Sequence, residues 1–301
     1  MEYDIIKKGS SMPHTTDPLS TFAILKKHHV HFKKDLGQNF LTDLNIAQRI
    51  VEEAQVTSDD AVLEIGAGVG SLTQFLARRA YHVYAVEVDK VLVPILEDTL
   101  SPYTNTTVIH QDILKMDLVS FFAERAVNRP IKVVANLPYY ITTPILMGLL
   151  ESTIPFRSIT VMIQEEVAKR ICATPGTKEY GALTLAVAYR AKAQILFRVP
   201  PACFVPQPKV YSTVLHLTCF EQPPIQIHNE DLLFTIIRAA FNQRRKTLPN
   251  ALQGAISGRF DKEKVQNVLE ELGLSQTVRG EALSLQQFCD FTNCYGLLCN
   301  S

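Results

Sequence analysis

Residues 61–70 read Ala-Val-Leu-Glu-Ile-Gly-Ala-Gly-Val-Gly, a short apolar strand that runs directly into a glycine-rich turn. Glycine has no side chain, so such a turn can be tight and its backbone can approach a ligand closely. Dinucleotide-binding enzymes also use glycine-rich turns, usually with the spacing Gly-x-Gly-x-x-Gly. Here the spacing is Gly-x-Gly-x-Gly, and an acidic residue, Glu64, stands two positions before the first glycine. The stretch therefore predicts a ligand-binding turn after a buried strand, and its spacing disfavours a dinucleotide.

On both sides of this turn the sequence alternates between short strands and longer helical stretches. Helical spacing is clear at Leu72–Arg79, Lys90–Leu100 and Pro144–Leu150. The strand-like runs are Ala61–Ile65, His82–Val88, Thr106–His110, Ile131–Ala135 and Ser158–Ile163. Strands that alternate with crossover helices predict an α/β fold whose parallel sheet is covered on both faces. Such sheets bind ligands beyond the carboxyl ends of their strands, so functional residues should follow each run.

Acidic residues stand at the ends of the second and third of these strands. Glu87 closes the second strand, where a carboxylate can accept hydrogen bonds from both hydroxyls of a ribose. After the third strand, Asp112 could accept from an adenine amino group while Ile113 packs against the ring. Together with Gly66 and Gly68, these residues favour S-adenosylmethionine (SAM), an adenosine cofactor that has no pyrophosphate to be bound.

The fourth strand runs into Asn136-Leu137-Pro138-Tyr139-Tyr140, the most informative stretch in the chain. The amide oxygen of Asn136 and the carbonyl of Leu137 could each accept one hydrogen of an adenine N6 amine, which would free the nitrogen lone pair to face a methyl sulfonium. Pro138 restricts the preceding residue to extended conformations and so fixes the direction of that carbonyl. Tyr139 offers a ring on which an extruded base can stack, a contact worth about 1–3 kcal/mol. We therefore expect catalysis by positioning and hydrogen bonding, without a metal or a covalent intermediate.

Composition indicates a globular protein with room for two parts. Of the 301 residues, 47% are apolar and 20% are charged, and 30 basic side chains balance 30 acidic ones. Because the net charge is zero, any nucleic-acid surface must be a local patch. The six cysteines match neither zinc-ligand spacing nor a disulfide scaffold. No apolar run is long enough for a membrane span and no targeting pattern is present, so we expect a cytoplasmic protein.

Three segments are predicted along the chain. Residues 1–32 are polar and irregular and should form an extension, whereas residues 33–220 carry the alternating strand–helix pattern. Glu221-Gln222-Pro223-Pro224 interrupts this pattern and is typical of a linker. Residues 221–301 show helical spacing and predict a small, all-helical C-terminal domain.

A basic run lies near the start of the helical segment. No acid occurs between Leu232 and Phe260, whereas Arg244, Arg245 and Lys246 follow one another within this stretch. Such a local excess of positive charge suits contacts with phosphates, so we interpret these three residues as RNA-binding. A solvated helix face is the alternative interpretation of any short charge run.

The sequence closely resembles the rRNA adenine N6,N6-dimethyltransferase family (KsgA type) from about Lys33 to the C-terminus. The combination of motifs carries this resemblance, since no single one of them would. Besides the glycine turn, the motifs are Gly37–Leu41, Gln111-Asp112, Asn136–Tyr140, Gln164–Ala168, Pro175-Gly176, Tyr180-Gly181, Phe204–Val210 and Phe241–Leu248. Tyr140 stands where bacterial members more often have asparagine.

The resemblance implies a Rossmann-like, class I SAM-dependent methyltransferase sheet followed by the small helical domain. It implies dimethylation of two adjacent adenosines in the 3′-terminal hairpin of small-subunit rRNA, during assembly of the small ribosomal subunit. It also adds Asn39 and Leu41 to the cofactor contacts and gives Asn136 a second role there. Phe204 is expected to sandwich the target base against Tyr139. The expected partner is rRNA or the assembling subunit, and the chain is expected to act as a monomer.

Three other functions remain open at this point. A large-subunit rRNA adenine N6-methyltransferase of the macrolide-resistance type shares the catalytic turn. Only the C-terminal half of the chain distinguishes it from the small-subunit rRNA dimethyltransferase. DNA adenine and protein glutamine methyltransferases usually carry a second proline where Leu137 stands. A non-enzymatic binding protein, such as the mitochondrial transcription factors descended from the family, is disfavoured by the intact turn and the missing presequence.

Overall fold

The computed structural model describes residues 18–30, 37–255 and 260–300. The strands in these ranges are β1 (Phe40–Leu41), β2 (Ala61–Ile65), β3 (His82–Glu87), β4 (Thr106–His110), β5 (Ile131–Asn136), β6 (Phe156–Gln164), β7 (Ala191–Val199), β8 (Phe204–Val205) and β9 (Ser212–Cys219). The helices are α1 (Thr21–Lys27), α2 (Leu44–Glu53), α3 (Thr73–Ala77), α4 (Val93–Leu100), α5 (Leu118–Glu124), α6 (Thr142–Glu151), α7 (Glu165–Ile171), α8 (Ala182–Ala188), α9 (Glu230–Asn242), α10 (Leu248–Ala255), α11 (Lys262–Glu271) and α12 (Leu285–Asn300).

Seven of these strands form one sheet in the order β4-β3-β2-β5-β6-β9-β7. The first five strands in this order run parallel, and β9 pairs antiparallel with both of its neighbours, β6 and β7. The five strand-like runs of the sequence are these five parallel strands. The predicted Rossmann-like α/β architecture is therefore confirmed. A separate two-stranded sheet pairs Phe40 with Val205 and Leu41 with Phe204.

Two apolar cores cover the two faces of the large sheet. Alternate residues of β2 point to opposite faces, so Leu63 and Ile65 join one core while Val62 joins the other. In β5, Val133 and Val134 divide in the same way. Every residue of β2 is buried, as expected for a strand with helices on both faces.

The strand order reverses between β2 and β5, and there the sheet opens. β2 has β3 and then β4 on one side, whereas β5 begins the other half of the sheet. Pairing between β2 and β5 ends at Leu63 and Val133, so the chain ends of the two strands, at Ile65 and Asn136, are no longer paired to each other. A crevice forms at the carboxyl ends of such strands and is the usual ligand site of doubly wound sheets.

Helices α9 to α12 pack around a third core, as the helical spacing of residues 221–301 predicts. This core also takes in Tyr180, Leu185 and Tyr189 from the segment around α8, before the predicted boundary at residue 221. The hydroxyl of Tyr180 donates to the backbone oxygen of Leu283 over 2.8 Å, and both residues are buried. The helical part is thus joined to the sheet part through a shared core as well as through the linker.

The predicted N-terminal extension, residues 1–32, lies within the described residues only from 18 to 30. That portion contains α1, which begins after the N-cap Ser20 and buries Ile24 and Leu25. Among the helices of the described ranges, none is both long and apolar enough to cross a bilayer.

Candidate active site

The crevice between β2 and β5 holds a pocket of about 320 Å³. The loop before β1 and the carboxyl ends of β2, β3, β4 and β5 supply its walls. All the predicted cofactor residues and all but one of the predicted catalytic residues line it, namely Asn39, Leu41, Gly66, Gly68, Glu87, Asp112, Ile113, Asn136, Leu137, Pro138 and Tyr139. Residues that are far apart in sequence, at successive strand ends, thus lie around one cavity.

The glycine turn lies in the left-handed region of backbone conformation. Gly66, Gly68 and Gly70 have φ angles of 72°, 60° and 87°, which side-chain-bearing residues rarely adopt. A Cβ atom at Gly68 would lie 3.3 Å from the ring of Phe40, so the turn is also packed closely against β1. The loop therefore needs glycine for both its conformation and its space.

Glu87, at the end of β3, is hydrogen-bonded to this turn. One carboxylate oxygen accepts from the backbone N–H of Gly68 over 2.8 Å, and the other accepts from the N–H of Asp89 over 2.8 Å. Each carboxylate oxygen can accept a second hydrogen bond, so the two hydroxyls of a ribose can still bind there. Burial raises the pKa of Glu87, and the two backbone donors oppose that rise.

Glu64 is a buried acid with unused acceptor capacity beside the pocket. Its side chain is 2% exposed, and its Oε2 atom has no hydrogen-bond partner among the described residues. Burial raises the pKa of this carboxyl from 4.5 to about 8, and the nearby charge of Glu87 contributes to the rise. With this pKa the carboxyl is mostly protonated at neutral pH in the empty pocket, and a cationic donor bound beside it would favour the ionised form.

One hydrogen bond joins Asn136 to Asn39, and both residues line the pocket. The side-chain nitrogen of Asn136 donates to the backbone oxygen of Asn39 over 3.0 Å. The amide nitrogen can only donate, so this bond fixes which end of the Asn136 amide is the oxygen. The side chain of Asn39 donates in turn to the backbone oxygen of Gly37 over 2.9 Å. The acceptor end of Asn136 is thereby left to a ligand.

The rest of the turn is also held in place from outside. The backbone N–H of Leu137 donates to Met162 on β6 over 3.1 Å, while Leu137 itself is 1% exposed. Pro138 has extended backbone angles, φ −60° and ψ 131°. The hydroxyl of Tyr139 lies 2.6 Å from Ser212 at the start of β9. Burial raises the pKa of the Tyr139 phenol, so the ring stays uncharged at neutral pH.

Asp112 and Ile113 close the pocket on the side of β4. Asp112 caps a short 3₁₀ turn by accepting from the N–H of Leu114 over 3.0 Å, and its carboxylate lies 3.7 Å from Lys115. Its side chain is one-third exposed. A second lone pair of the carboxylate therefore stays accessible to a ligand amine.

Phe204 differs from the other predicted site residues. Its side chain is 0% exposed and belongs to the core cluster that also contains Leu41, and it does not line the pocket. No face of the ring is open to a base in this conformation. A sandwich of Phe204 and Tyr139 around an adenine would require the Phe204 ring to leave its core contacts.

The three residues of the basic run have different surroundings. Arg244 donates to the backbone oxygen of Lys178 over 2.9 Å and forms a 3.2 Å ion pair with Glu281. Arg245 and Lys246 are exposed and form no ion pair within the described part of the chain. Arg244 is thus engaged in holding the fold, and the two residues after it provide the free positive charge. Residues 256–259 of the acid-free stretch lie outside the described residues.

Several pocket residues were given no site role by the sequence reasoning, although Gln38, Gln111 and Tyr140 belong to its motifs. Gln38, Ser71, Val88, Gln111 and Tyr140 also line the cavity. Their position beside the predicted strand-end residues is a signal that could have found Val88, Gln111 and Tyr140. No pattern marks Ser71, because its importance comes from a contact with α1 that only the folded chain shows. Within the described residues, no group of three or more His, Cys, Asp or Glu side chains is placed to hold a metal ion.

The donors and acceptors of the pocket suit an adenosine ligand with an amino-acid end. It offers acid side chains at the ends of β2, β3 and β4, with the glycine turn between them, and among the described residues neither lysine nor arginine lines it. A ligand that carries a pyrophosphate would be poorly matched to such walls, whereas hydroxyl and amine donors are well matched.

Known proteins of similar sequence are ribosomal RNA methyltransferases. The sequence model described as ribosomal RNA adenine dimethylase matches residues 29–295. A protein of Lachnoclostridium phytofermentans named ribosomal RNA small subunit methyltransferase A is 51% identical over 278 residues, 92% of this chain and 96% of the relative. A protein of the same name from Oceanobacillus iheyensis is 48% identical, over 92% of this chain and 95% of the relative.

Solved structures share the fold. A dimethyladenosine transferase of Plasmodium falciparum superposes with a TM-score of 0.72 at 26% identity, covering 84% of this chain and 95% of that one. The 23S rRNA methyltransferase ErmE superposes with a TM-score of 0.66 at 25% identity, covering 86% of this chain and all of that one. The match of the family model over most of the chain, together with relatives of about half identical sequence, decides the assignment: the chain belongs to the ribosomal RNA adenine dimethylase family.

Proposed function

We propose that this protein uses SAM to dimethylate the N6 amines of two adjacent adenosines in the 3′-terminal hairpin of small-subunit rRNA. The observation that carries the proposal is the orientation of Asn136. Its amide nitrogen donates to the backbone oxygen of Asn39, and its oxygen, which has no partner among the described residues, can accept a hydrogen bond within the cofactor pocket. An amine substrate carries two hydrogens and therefore calls for two acceptors, of which the Asn136 oxygen is one. A hydroxyl substrate carries only one hydrogen.

The pocket residues fit SAM at both of its ends. Glu87 would accept from the ribose hydroxyls and Asp112 from the adenine amine, while Ile113 would pack against the adenine ring. The buried carboxyl of Glu64 suits the ammonium of the amino-acid end, because that charge would favour its ionised form. When bound, SAM supplies a methyl group on a sulfonium, a strong electrophile.

The chain's own residues then act on the adenine amine. The Asn136 oxygen and the Leu137 carbonyl accept hydrogen bonds from its N–H groups and draw the nitrogen toward tetrahedral geometry. This interaction strengthens as the nitrogen loses its conjugation with the ring, so it stabilises the transition state more than the bound substrate. The amine releases one proton to solvent for each methyl group that it gains. Because Leu137 and Pro138 are fixed in position, less entropy is lost when the adenine amine is aligned for methyl transfer. Tyr139 provides the stacking surface for the extruded base.

Small-subunit rRNA is favoured over large-subunit rRNA as the substrate by the comparisons with relatives. The relatives that are 46–51% identical to this chain over nearly their full lengths carry the small-subunit name. The large-subunit enzyme among the structural neighbours is 25% identical. RNA would be held partly by the exposed pair Arg245 and Lys246. The proposal includes the assembling small subunit as partner, a monomeric protein and a cytoplasmic location.

A methyl-transfer assay with defined RNA substrates tests the proposal. Purified protein is incubated with methyl-labelled SAM and, separately, with unmethylated small subunits, naked small-subunit rRNA and large subunits. The label should enter small-subunit rRNA as N6,N6-dimethyladenosine, and primer extension should stop at two adjacent adenosines near its 3′ end. Label in large-subunit rRNA alone, or in monomethylated adenosine elsewhere, would contradict the proposed substrate.

A further inference from the structure

Helix α1 is fastened to two separate walls of the pocket by one buried hydroxyl. We propose that Thr21, the first residue of α1, is a positioning residue for the cofactor site, a role that rests on the proposed binding of SAM. Thr21 does not line the pocket, so it acts through the residues that it contacts. These are Leu41 on β1 and Ser71 at the end of the glycine turn, and both line the cavity.

The contacts of Thr21 are short and fully enclosed. The residue is 0% exposed, and its hydroxyl donates to the backbone oxygen of Leu41 over 2.6 Å. The same hydroxyl oxygen lies 2.7 Å from the Ser71 hydroxyl oxygen. β1 belongs to the small two-stranded sheet and the glycine turn follows β2 of the large sheet, so Thr21 connects two elements that share no strand pairing.

The direction of these hydrogen bonds follows from the number of hydrogens. A backbone carbonyl can only accept, so the single hydrogen of the Thr21 hydroxyl goes to Leu41. Ser71 must then be the donor to Thr21. With its hydrogen used, Ser71 can offer only its oxygen, as an acceptor, toward the pocket. Thr21 thus sets the polarity of a pocket residue that it holds from behind.

The rest of α1 supports this connection. Ile24 and Leu25 pack with Phe40 and Val69, and a Cβ atom at Gly68 would lie 3.3 Å from the Phe40 ring. The helix therefore backs both β1 and the glycine turn. Its last turn is anchored elsewhere, because Lys27 and His28 contact the exposed Asp98 on α4. The two ends of α1 can be tested independently.

This arrangement favours a ligand that donates hydrogen bonds. Ser71, held as an acceptor, and the buried carboxyl of Glu64, which a nearby cation would favour in its ionised form, both suit an ammonium such as that of SAM. Without the Thr21 hydroxyl, Ser71 could turn its hydrogen toward the pocket, and Leu41 would lose a partner for its backbone oxygen. The first change would weaken the binding of a cationic amine, and the second would loosen the β1 wall of the pocket.

Calorimetric titration of the full-length protein with SAM, and separately with S-adenosylhomocysteine, tests the role of Thr21. Thr21→Val keeps the shape of the side chain and removes the hydroxyl. Loss of such hydrogen bonds should raise the Kd by about three- to tenfold. Thr21→Ser keeps the hydroxyl and should stay within about twofold of wild type. Asp98→Ala, which releases the far end of α1, is the matched control and should leave the Kd unchanged.

A second variant keeps the test decisive if Thr21→Val fails to fold. Ser71→Ala removes the Thr21–Ser71 hydrogen bond from the pocket side, and it should weaken SAM binding by a similar factor. A Thr21→Val protein that melts at a lower temperature yet binds with wild-type Kd, or an unchanged Kd in Ser71→Ala, would overturn the inference. If the wild-type protein itself does not bind SAM, the proposed function fails instead.

Discussion

Asn136 shows how the site depends on single atoms. Asparagine carries a donor and an acceptor on the same group, and only a fixed partner decides which of them faces the ligand. The backbone oxygen of Asn39 is that partner. Burial also changes the chemistry of two acids of the pocket, because it raises the pKa of both Glu64 and Glu87.

Glu64 should make the stability of the ligand-free protein depend on pH. Its pKa is about 8 in the folded chain and near 4.5 when exposed. The folded chain keeps the proton to a higher pH, so the stabilisation present below about pH 4.5 is lost as the pH rises toward 8. Between pH 5 and pH 8 the wild type should lose about 2–4 kcal/mol more than Glu64→Gln, which cannot titrate. Urea denaturation at several pH values measures this, and parallel curves for the two proteins would contradict it.

Glu87→Ala should weaken the binding of SAM by about 1–3 kcal/mol, the range for charge-assisted hydrogen bonds. Glu87 also accepts from Gly68 and Asp89, so the variant loosens the glycine turn as well as removing the ribose acceptor. Calorimetry gives the affinity, and circular dichroism verifies the fold. Glu97→Ala, at an exposed position on α4, serves as control. Wild-type affinity in Glu87→Ala would remove this residue from the site.

At the scale of elements, the sheet could be predicted because strand and helix periodicity differ along the sequence. The five parallel strands and the residues at their ends were found in this way. The antiparallel strands β7 and β9 were not predicted, since β7 has exposed and half-buried residues over much of its length and lacks a continuous apolar signal. The burial of Phe204 and the role of Thr21 could not be predicted, because both arise from contacts between segments distant in sequence.

The three residues of the basic run should have different roles: Arg245 and Lys246 should bind RNA, whereas Arg244 should stabilise the fold. Replacing Arg245 and Lys246 together with alanine should lower RNA affinity and flatten the slope of log K against log salt by about 1.5 units. Stability should be unchanged, because both side chains are exposed. Arg244→Ala should instead destabilise the fold by about 1 kcal/mol through loss of its contacts with Lys178 and Glu281.

Filter binding across a salt series and urea denaturation measure the two effects. An unchanged salt slope in the Arg245, Lys246 double variant would mean that phosphates are bound at another surface. If Arg244→Ala has wild-type stability and a flattened slope of log K against log salt, Arg244 binds RNA and does not stabilise the fold.

At the scale of the whole molecule, the sheet part and the helical part share one core. Tyr180 lies at their junction, and its buried hydroxyl donates to Leu283 in the helical part. Tyr180→Phe should cost about 1–3 kcal/mol, because the backbone oxygen of Leu283 loses its partner. Unfolding should remain a single transition by both far-UV circular dichroism and intrinsic tyrosine fluorescence. Two separate transitions would show that the parts fold independently.

The catalytic turn also depends on the whole chain. Asn39 directly precedes β1 of the two-stranded sheet, Asn136 ends β5, and Ser212, which contacts Tyr139, begins β9. Folding brings these distant segments to one cavity, and the arrangement is useful to an amine methyltransferase because it presents acceptors for the amine hydrogens. The central claim is that the Asn136 oxygen stabilises the transition state of methyl transfer to adenine N6.

Single-turnover methyl transfer by Asn136→Ala, at saturating SAM and saturating small subunits, tests this claim most directly. Saturation removes any change in binding, so the rate reports the chemical step. Asn128→Ala, an exposed position at the opposite end of the sheet, is the control and should react at the wild-type rate. We predict that Asn136→Ala reacts about 10²–10³ times more slowly than wild type while RNA binding is retained. A rate within threefold of wild type would contradict the assignment of the turn.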